Sequence, residues 1–261
     1  WESDRLRPEK SGESNIGSLT SRFRKVPLYY RGEKVHRILF TGYVPTSKDS
    51  KFDYGPVNTT ISYNGLEGIR LRAGGMTTAN LSRHWFARGY IARGFRDHRW
   101  KYSAELEYSF NEKKYHSREF PVHSLRLTHK YDLDHLGSHY LFTNADNFVL
   151  SLSRMSNRKD TYRRLTMLEY TLELANKFSV TASLENIRQQ ESPYVRFIDW
   201  NGRGFGHYTE NVVGVKLRYA PGEKFVQTKS YRIPVNEDSP TFTLSHRFAP
   251  KGFLGSRFAI N

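Results

Sequence analysis

The chain contains no cysteine, which excludes disulfides, thiolate metal sites and a thiol nucleophile. It has no run of about 18 apolar residues, so a transmembrane helix is excluded by length alone. No Gly-x-Ser-x-Gly elbow is present, and no serine stands with a nearby His and Asp in a recognisable order, so nucleophilic catalysis has no local signature. No signal-peptide pattern is visible from Trp1 onward, and the chain is expected to be a processed product or a fragment. Acidic residues are comparatively few: 26 Asp and Glu stand against 41 Lys and Arg, a formal net charge of +15. That sign points to an anionic partner such as nucleic acid, lipid headgroups or an acidic ligand.

What is present is aromatic and alternating. Aromatic residues make up 15% of the 261 residues, yet the mean hydropathy is -0.70. A transmembrane β-barrel reconciles the two, because only alternate residues of each strand face lipid. The segment 102–110 sets Tyr102, Ala104, Leu106, Tyr108 and Phe110 against Ser103, Glu105, Glu107 and Ser109. Leu168, Tyr170, Leu172 and Leu174 oppose Glu169, Thr171 and Glu173 in the same way. The pattern recurs over 178–185 and 213–219, and again over 242–248, where His246 interrupts the apolar face. Successive side chains of a strand point to opposite faces, so each segment has one greasy and one wet side.

A tight turn is expected at Ala175-Asn176-Lys177, with longer polar connectors at 111–120, 154–163, 186–210 and 220–240. Trp85, Trp100, Tyr108, Phe110, Tyr131 and Tyr219 sit near strand ends, where an interfacial girdle would place them. A soluble antiparallel sandwich or barrel also alternates. Strands near ten residues, aromatics at strand ends and the lack of a helix to cover a greasy face favour the membrane. Residues 1–41 read as a separate basic segment carrying Arg22, Arg24, Lys25, Arg31, Lys34 and Arg37, and 42–261 as the barrel portion.

The run Tyr63-Asn64-Gly65-Leu66-Glu67-Gly68-Ile69-Arg70-Leu71-Arg72-Ala73-Gly74-Gly75 carries a resemblance to a known family. Gly42-Tyr43-Val44-Pro45, Tyr54-Gly55-Pro56, Trp100-Lys101-Tyr102 and Leu217-Arg218-Tyr219-Ala220-Pro221-Gly222-Glu223-Lys224 extend it. Together they resemble an uncharacterised outer-membrane β-barrel family of Bacteroidota whose full-length members carry an N-terminal carboxypeptidase-regulatory-like domain. The resemblance implies an outer-membrane location and an antiparallel transmembrane barrel, and it implies no peptidase activity. The regulatory-like domain and a closing terminal aromatic strand are missing from these residues, so the barrel is expected to be truncated at both ends.

Chemical candidates are few. Arg70 and Arg72 alternate with Ile69 and Leu71, and Lys216 and Arg218 alternate with Val215 and Leu217. These four are expected to face the lumen and to pair there with Glu105, Glu107, Glu169 and Glu173. Arg158, Lys159, Arg163 and Arg164, read as loop cations, are candidates to meet lipopolysaccharide phosphates. Arg203-Gly204-Phe205-Gly206 opens like an RNA-recognition strand, but His207-Tyr208 departs from that motif and a glycine-rich surface loop is the plainer reading. His135 and His139 would share a helix face as metal ligands, but Asp132, Asp134, Gly137 and Ser138 make the stretch read as a loop. No catalytic residue, cofactor or metal is expected.

The sequence therefore points to a non-enzymatic outer-membrane component of surface assembly, transport or a receptor complex. Its expected partners are outer-membrane lipid, lipopolysaccharide and other envelope proteins, not nucleic acid. Two alternatives stand beside it. One is a soluble basic β-protein that binds nucleic acid. The other is a barrel hydrolase, which would need a Ser and a His facing lipid on neighbouring strands near the outer rim.

Overall fold

A computed structural model describes residues 42–47, 49–136, 159–227, 232–234, 239–252 and 256. The basic segment 1–41, Arg158 and His139 lie outside the described residues. The strands in chain order are β1 (Val44–Pro45), β2 (Phe52–Tyr54), β3 (Ile61–Asn64), β4 (Gly68–Thr77), β5 (Trp85–Gly94), β6 (Trp100–Ser109) and β7 (His123–His135). They continue with β8 (Asp160–Glu173), β9 (Phe178–Gln190), β10 (His207–Tyr219), β11 (Phe225–Gln227), β12 (Arg232–Pro234) and β13 (Phe242–Phe248). Among the described residues the only helical element is a single 3-10 turn at Val57–Thr59.

Eleven strands form one antiparallel sheet in the order β1-β2-β4-β5-β6-β7-β8-β9-β10-β13, with β3 paired to β4 beside β2; β11 and β12 make a separate hairpin. From β4 to β10 every strand pairs with its sequence neighbour, an up-and-down meander of long strands. Among the described residues no pairing joins the β1 edge to the β13 edge. The described residues thus form an all-β antiparallel sheet that they do not themselves close.

The sheet is nonetheless strongly curled. Arg70 on β4 donates to both carboxylate oxygens of Asp132 on β7, at 2.7 and 3.0 Å. Three strand spacings separate β4 from β7, about 14 Å on a flat sheet. The two side chains meet only if the sheet bends toward the face they share. At one rim the Tyr194 hydroxyl, in the β9–β10 connection, donates to the Gly65 carbonyl in the β3–β4 turn at 3.2 Å, which carries the curl across most of the sheet.

Turn chemistry fixes the register. In the β3–β4 turn Asn64 Oδ1 accepts from the backbone N–H of Leu66 and Glu67 at 3.1 and 2.7 Å, and Gly68 takes φ +67°. The expected tight turn after Leu174 is present, closed by the Leu174 N–H on the Phe178 carbonyl at 2.8 Å. The 110–122 connection is tied internally: Glu119 accepts backbone N–H groups of Lys114, Tyr115 and His116, and Lys113 Nζ donates to the Glu119 and Pro121 carbonyls.

Three expectations need correction. The connector read at 154–163 ends before Asp160, where β8 begins, and the one read at 186–210 is shorter, because β9 runs on to Gln190 and β10 begins at His207. Asp132, Asp134 and His135 belong to strand β7 and not to a loop. Arg163 and Arg164, read as loop cations, likewise lie within strand β8.

Close strand packing yields a test. A Cβ on Gly74 would lie 2.5 Å from the Gly89 carbonyl oxygen and 2.7 Å from Tyr90 Cβ. Gly74→Val is therefore expected to destabilise the sheet by about 1–3 kcal/mol, measured as a lowered midpoint of thermal unfolding. Gly206→Ala, with nothing within 4 Å of the added carbon, should leave the midpoint unchanged.

Candidate functional site: a charged concave face and an apolar convex face

Each long strand separates its residues onto two faces, and the polarity is the reverse of a soluble barrel's. On β6, Leu106 is 45% exposed and its neighbour Glu107 only 2%. On β4, Ile69 is 54% exposed while the Arg70 side chain is 11% exposed. The only buried apolar cluster among the described residues is Ile187, Val212 and Ala249, with Leu165 packed against it.

On the convex face one apolar row crosses six strands by direct register: Leu106, Leu127, Leu168, Leu184, Val213 and Phe248, on β6 through β10 and β13. All six are exposed. Aromatic clusters flank this row at opposite strand ends. Trp85, Tyr108, Phe110, His123 and Tyr170 touch ring to ring at one end. Tyr102, Tyr131 and Tyr162 do so at the other. Of the expected girdle, Trp85, Tyr108, Phe110 and Tyr219 fall at the first end and Trp100 and Tyr131 at the second.

The apolar zone runs diagonally. One row of opposed residues reads Arg188, Arg164, Tyr131, Tyr102, Ile91, Ala73 from β9 to β4. Its polar end lies on β8–β9 and its apolar end on β4–β5, as happens when strands are inclined to a slab-shaped apolar environment.

All eight residues expected to face inward do share the concave face: Arg70 and Arg72 on β4, Glu105 and Glu107 on β6, Glu169 and Glu173 on β8, Lys216 and Arg218 on β10. Their partners differ from the expected ones. Arg126 on β7 bonds Glu107 at 3.2 Å and Glu169 at 3.1 Å, and approaches Glu105 to 3.8 Å. Glu107, Arg126 and Glu169 are directly opposed across three strands, so charge alternates in the register itself and each contact is favourable. Arg70 binds Asp132 and Glu67, and Asp132 also accepts from the Tyr90 hydroxyl. Arg72 lies 3.6 Å over the Tyr90 ring. Glu173 is met by Arg232 at 2.9 Å and Arg218 by Glu223 at 2.6 Å.

A third cluster closes one end. Lys101, fully buried, bonds Glu67 at 2.7 Å and also Asp97, which accepts from the Tyr162 hydroxyl at 3.0 Å. Ions this far from water are tolerated because each is paired and hydrogen-bonded. In the connections, the hydrogen bonds from Arg218 hold the Glu223 carboxyl below its ordinary range, and burial pushes the Lys113 ammonium down.

Of the four cations expected in a loop, the three described ones separate. Lys159 precedes β8 and is exposed. Arg163 and Arg164 are strand residues: Arg163 faces inward, 3.8 Å from Asp134, and Arg164 faces outward and is exposed. The reading of Arg163 as a loop residue is thus corrected. Arg203-Gly204-Phe205-Gly206 lies in the β9–β10 connection, with Phe205 stacked on Phe197. His135 pairs with Asp160 at 3.0 Å, and no group of three or more possible metal ligands occurs among the described residues. Every serine in the described strands shares the concave face, so the outward Ser–His pair of a barrel hydrolase is not formed there.

Sequence reasoning missed Arg126, Asp132 and Lys101, although each sits between outward apolar neighbours and alternation alone would have found them. Glu67, Asp97 and Arg232 had no such signal, since two lie in turns and one in a short hairpin.

Fold and site together define a class: a single curled antiparallel sheet with charge on its concave face and hydrocarbon on its convex one. Residues 36–259 match the C-terminal domain of DUF5686, a family of unknown function, and the chain belongs to that family. No curated protein and no solved structure compared with the chain matches it.

The long-range pair is directly testable. A double-mutant cycle of Arg70→Gln and Asp132→Asn should return a coupling of about 0.5–3 kcal/mol in unfolding free energy. A flat sheet would keep these positions apart and give a coupling of zero.

Proposed function

We propose that this chain is a membrane-spanning β-sheet of the bacterial outer-membrane barrel type. Its suggested role is as a non-enzymatic component of surface assembly, transport or a receptor complex. The observation that carries the reading is the exposed apolar row from Leu106 to Phe248, set back to back with the buried ladder Glu107–Arg126–Glu169. In water such a sheet would expose hydrocarbon across six strands while burying its ions, which opposes the hydrophobic driving force. In a bilayer the same arrangement is favourable on both faces. Trp100 and Tyr108 begin and nearly end β6, on the order of 26 Å apart along the strand. That spacing suits the roughly 25 Å apolar band between aromatic girdles.

The described helical turn is far too short to cross a membrane, which leaves crossing to the strands. The Bacteroidota source and the preceding regulatory-like domain belong to the same proposal and rest on the sequence resemblance. Within the suggested roles, the cross-linked concave face favours a scaffold or receptor subunit over an open diffusion pore. Arg126, Arg70, Lys101 and Arg232 each satisfy carboxylates that a water-filled channel would otherwise leave to solvent.

The test is fractionation of the full-length protein, with an alkaline carbonate wash and separation of inner from outer membranes. Retention in washed outer membranes is expected; release into the soluble fraction would overturn the reading. Leu127→Arg, placed in the middle of the apolar row, is expected to cost about 2–4 kcal/mol of membrane-embedded stability and to reduce the folded protein recovered from that fraction.

A further inference from the structure

Among the described strands, the convex face carries one pair of directly opposed cations. Arg164 and Arg188 are directly opposed on β8 and β9, and Arg164 is opposed in turn by Tyr131 on β7. The Arg164 guanidinium lies 5.9 Å from the centre of the Tyr131 ring. Arg99, from the β5–β6 turn, donates to the Tyr131 hydroxyl at 3.2 Å and stacks 4.2 Å over the Tyr162 ring. Two guanidinium groups thus gather around two tyrosines on the outward side of the sheet, and Arg188 stands opposite one of them on the next strand.

Among the described residues no carboxylate forms an ion pair with these guanidinium groups, although the nearby Asp97 carboxylate favours the Arg99 charge. Among the described strands Asp160 is the one carboxylate on the convex face, and it pairs with His135. Asp97 is taken up by Lys101 and Tyr162. Arg188 Nε is buried without a hydrogen-bond partner. Like charges directly opposite on neighbouring strands are destabilising, and the concave face avoids such juxtaposition by alternating sign along Glu107, Arg126 and Glu169. The polar residues one step nearer the sheet's middle are also satisfied: Asn186 bonds Asn211 at 2.6 Å, and His129 bonds Thr166 at 2.9 Å and Tyr102 at 3.2 Å. Arg164 and Arg188 have no such partner among the described residues, and Arg93, the other strand arginine on the convex face, lies over the Trp100 ring.

We infer that Arg164, Arg188 and Arg99 form a binding site for the phosphate of an anionic membrane lipid, an inference that rests on the membrane-spanning reading above. Guanidinium groups bind phosphate oxygens bidentately and strongly. The headgroup would sit at the arginines, beside the tyrosines that mark the interface. Four residues along the same faces lie Leu168 and Leu184, about 13 Å away at strand rise, where the acyl chains would run down the exposed apolar row. A free anion would gain the guanidiniums but not that hydrocarbon contact, so the lipid is the favoured source of the phosphate.

The full chain, purified in a neutral detergent, is tested for binding by native mass spectrometry and thermal unfolding with phosphatidylglycerol, dioleoylglycerol or inorganic phosphate. Phosphatidylglycerol should bind and raise the unfolding midpoint, with little response to the other two. The double variant Arg164→Gln/Arg188→Gln should bind phosphatidylglycerol about tenfold or more weakly. Its lipid-free midpoint should equal or exceed that of the parent, because the opposed charges are gone. A purely structural arginine pair would do the opposite, lowering the lipid-free midpoint and leaving lipid binding intact. That result, an equal response to dioleoylglycerol, or full reproduction by inorganic phosphate would overturn the inference. Loss from carbonate-washed membranes would sink the membrane reading itself, whereas an integral protein indifferent to phosphatidylglycerol would sink only the lipid site.

Discussion

Among the described residues no helical layer covers either face of the sheet, so the environment of each face must match what the alternating sequence places there. Here the concave face holds the ions. Glu107, Arg126 and Glu169 oppose one another in register, and Arg70 reaches Asp132 from three strands away. These contacts depend on curvature, because on a flat sheet Arg70 and Asp132 would not touch. Curvature in turn gathers the charged side chains away from solvent and turns the apolar side chains outward. The ion pairs, the curl and the exposed hydrocarbon are one arrangement seen from three directions.

The buried ions do not explain stability by themselves. Removing a carboxylate and a guanidinium from water costs several kcal/mol each, and their attraction repays this only with good geometry. The geometry here is good: Arg70 is bidentate on Asp132, and the Asp97–Lys101–Glu67 cluster leaves its buried ammonium with carboxylates on two sides. What such pairs supply above all is register. A slip of one residue on any strand would send its charges to the apolar face and its leucines among the ions, a penalty far larger than any single bond. With only a small buried apolar cluster among the described residues, that penalty is the main constraint on how the strands align.

Alternation made the wet and greasy faces of β6, β8, β9, β10 and β13 legible in the sequence, and the eight charges it grouped together lie on one face of the sheet. It stopped where the outward face stopped being apolar. On β8 the outward residues pass from Leu168 to Thr166 and Arg164, and on β9 from Leu184 to Asn186 and Arg188. Both faces are then polar, so the first turns of β8 and β10 and the last of β9 read as loops. The strand continues regardless, because its ladder is made by backbone groups that do not depend on side-chain polarity. Partner choice was illegible for a different reason. Arg126 and Asp132 stand next to Leu and Tyr like many other residues, and which charge meets which across non-adjacent strands is set by curvature, a property of the whole sheet.

The same boundary gives the arginine row its meaning. Were the convex face simply solvent-exposed, Arg164 and Arg188 would be two ordinary surface cations, their repulsion screened within about a Debye length. Their position relative to the leucines makes them unusual, since a continuous apolar row lies just below and aromatic rings lie alongside. A protein with surplus positive charge pairs Arg70, Arg126 and Arg232 with carboxylates on the concave side and leaves Arg164 and Arg188 opposed to each other on the convex one. An apolar slab bounded by anions is the environment that satisfies the leucine row and the arginine row together, and neither water nor a purely hydrocarbon phase would satisfy both.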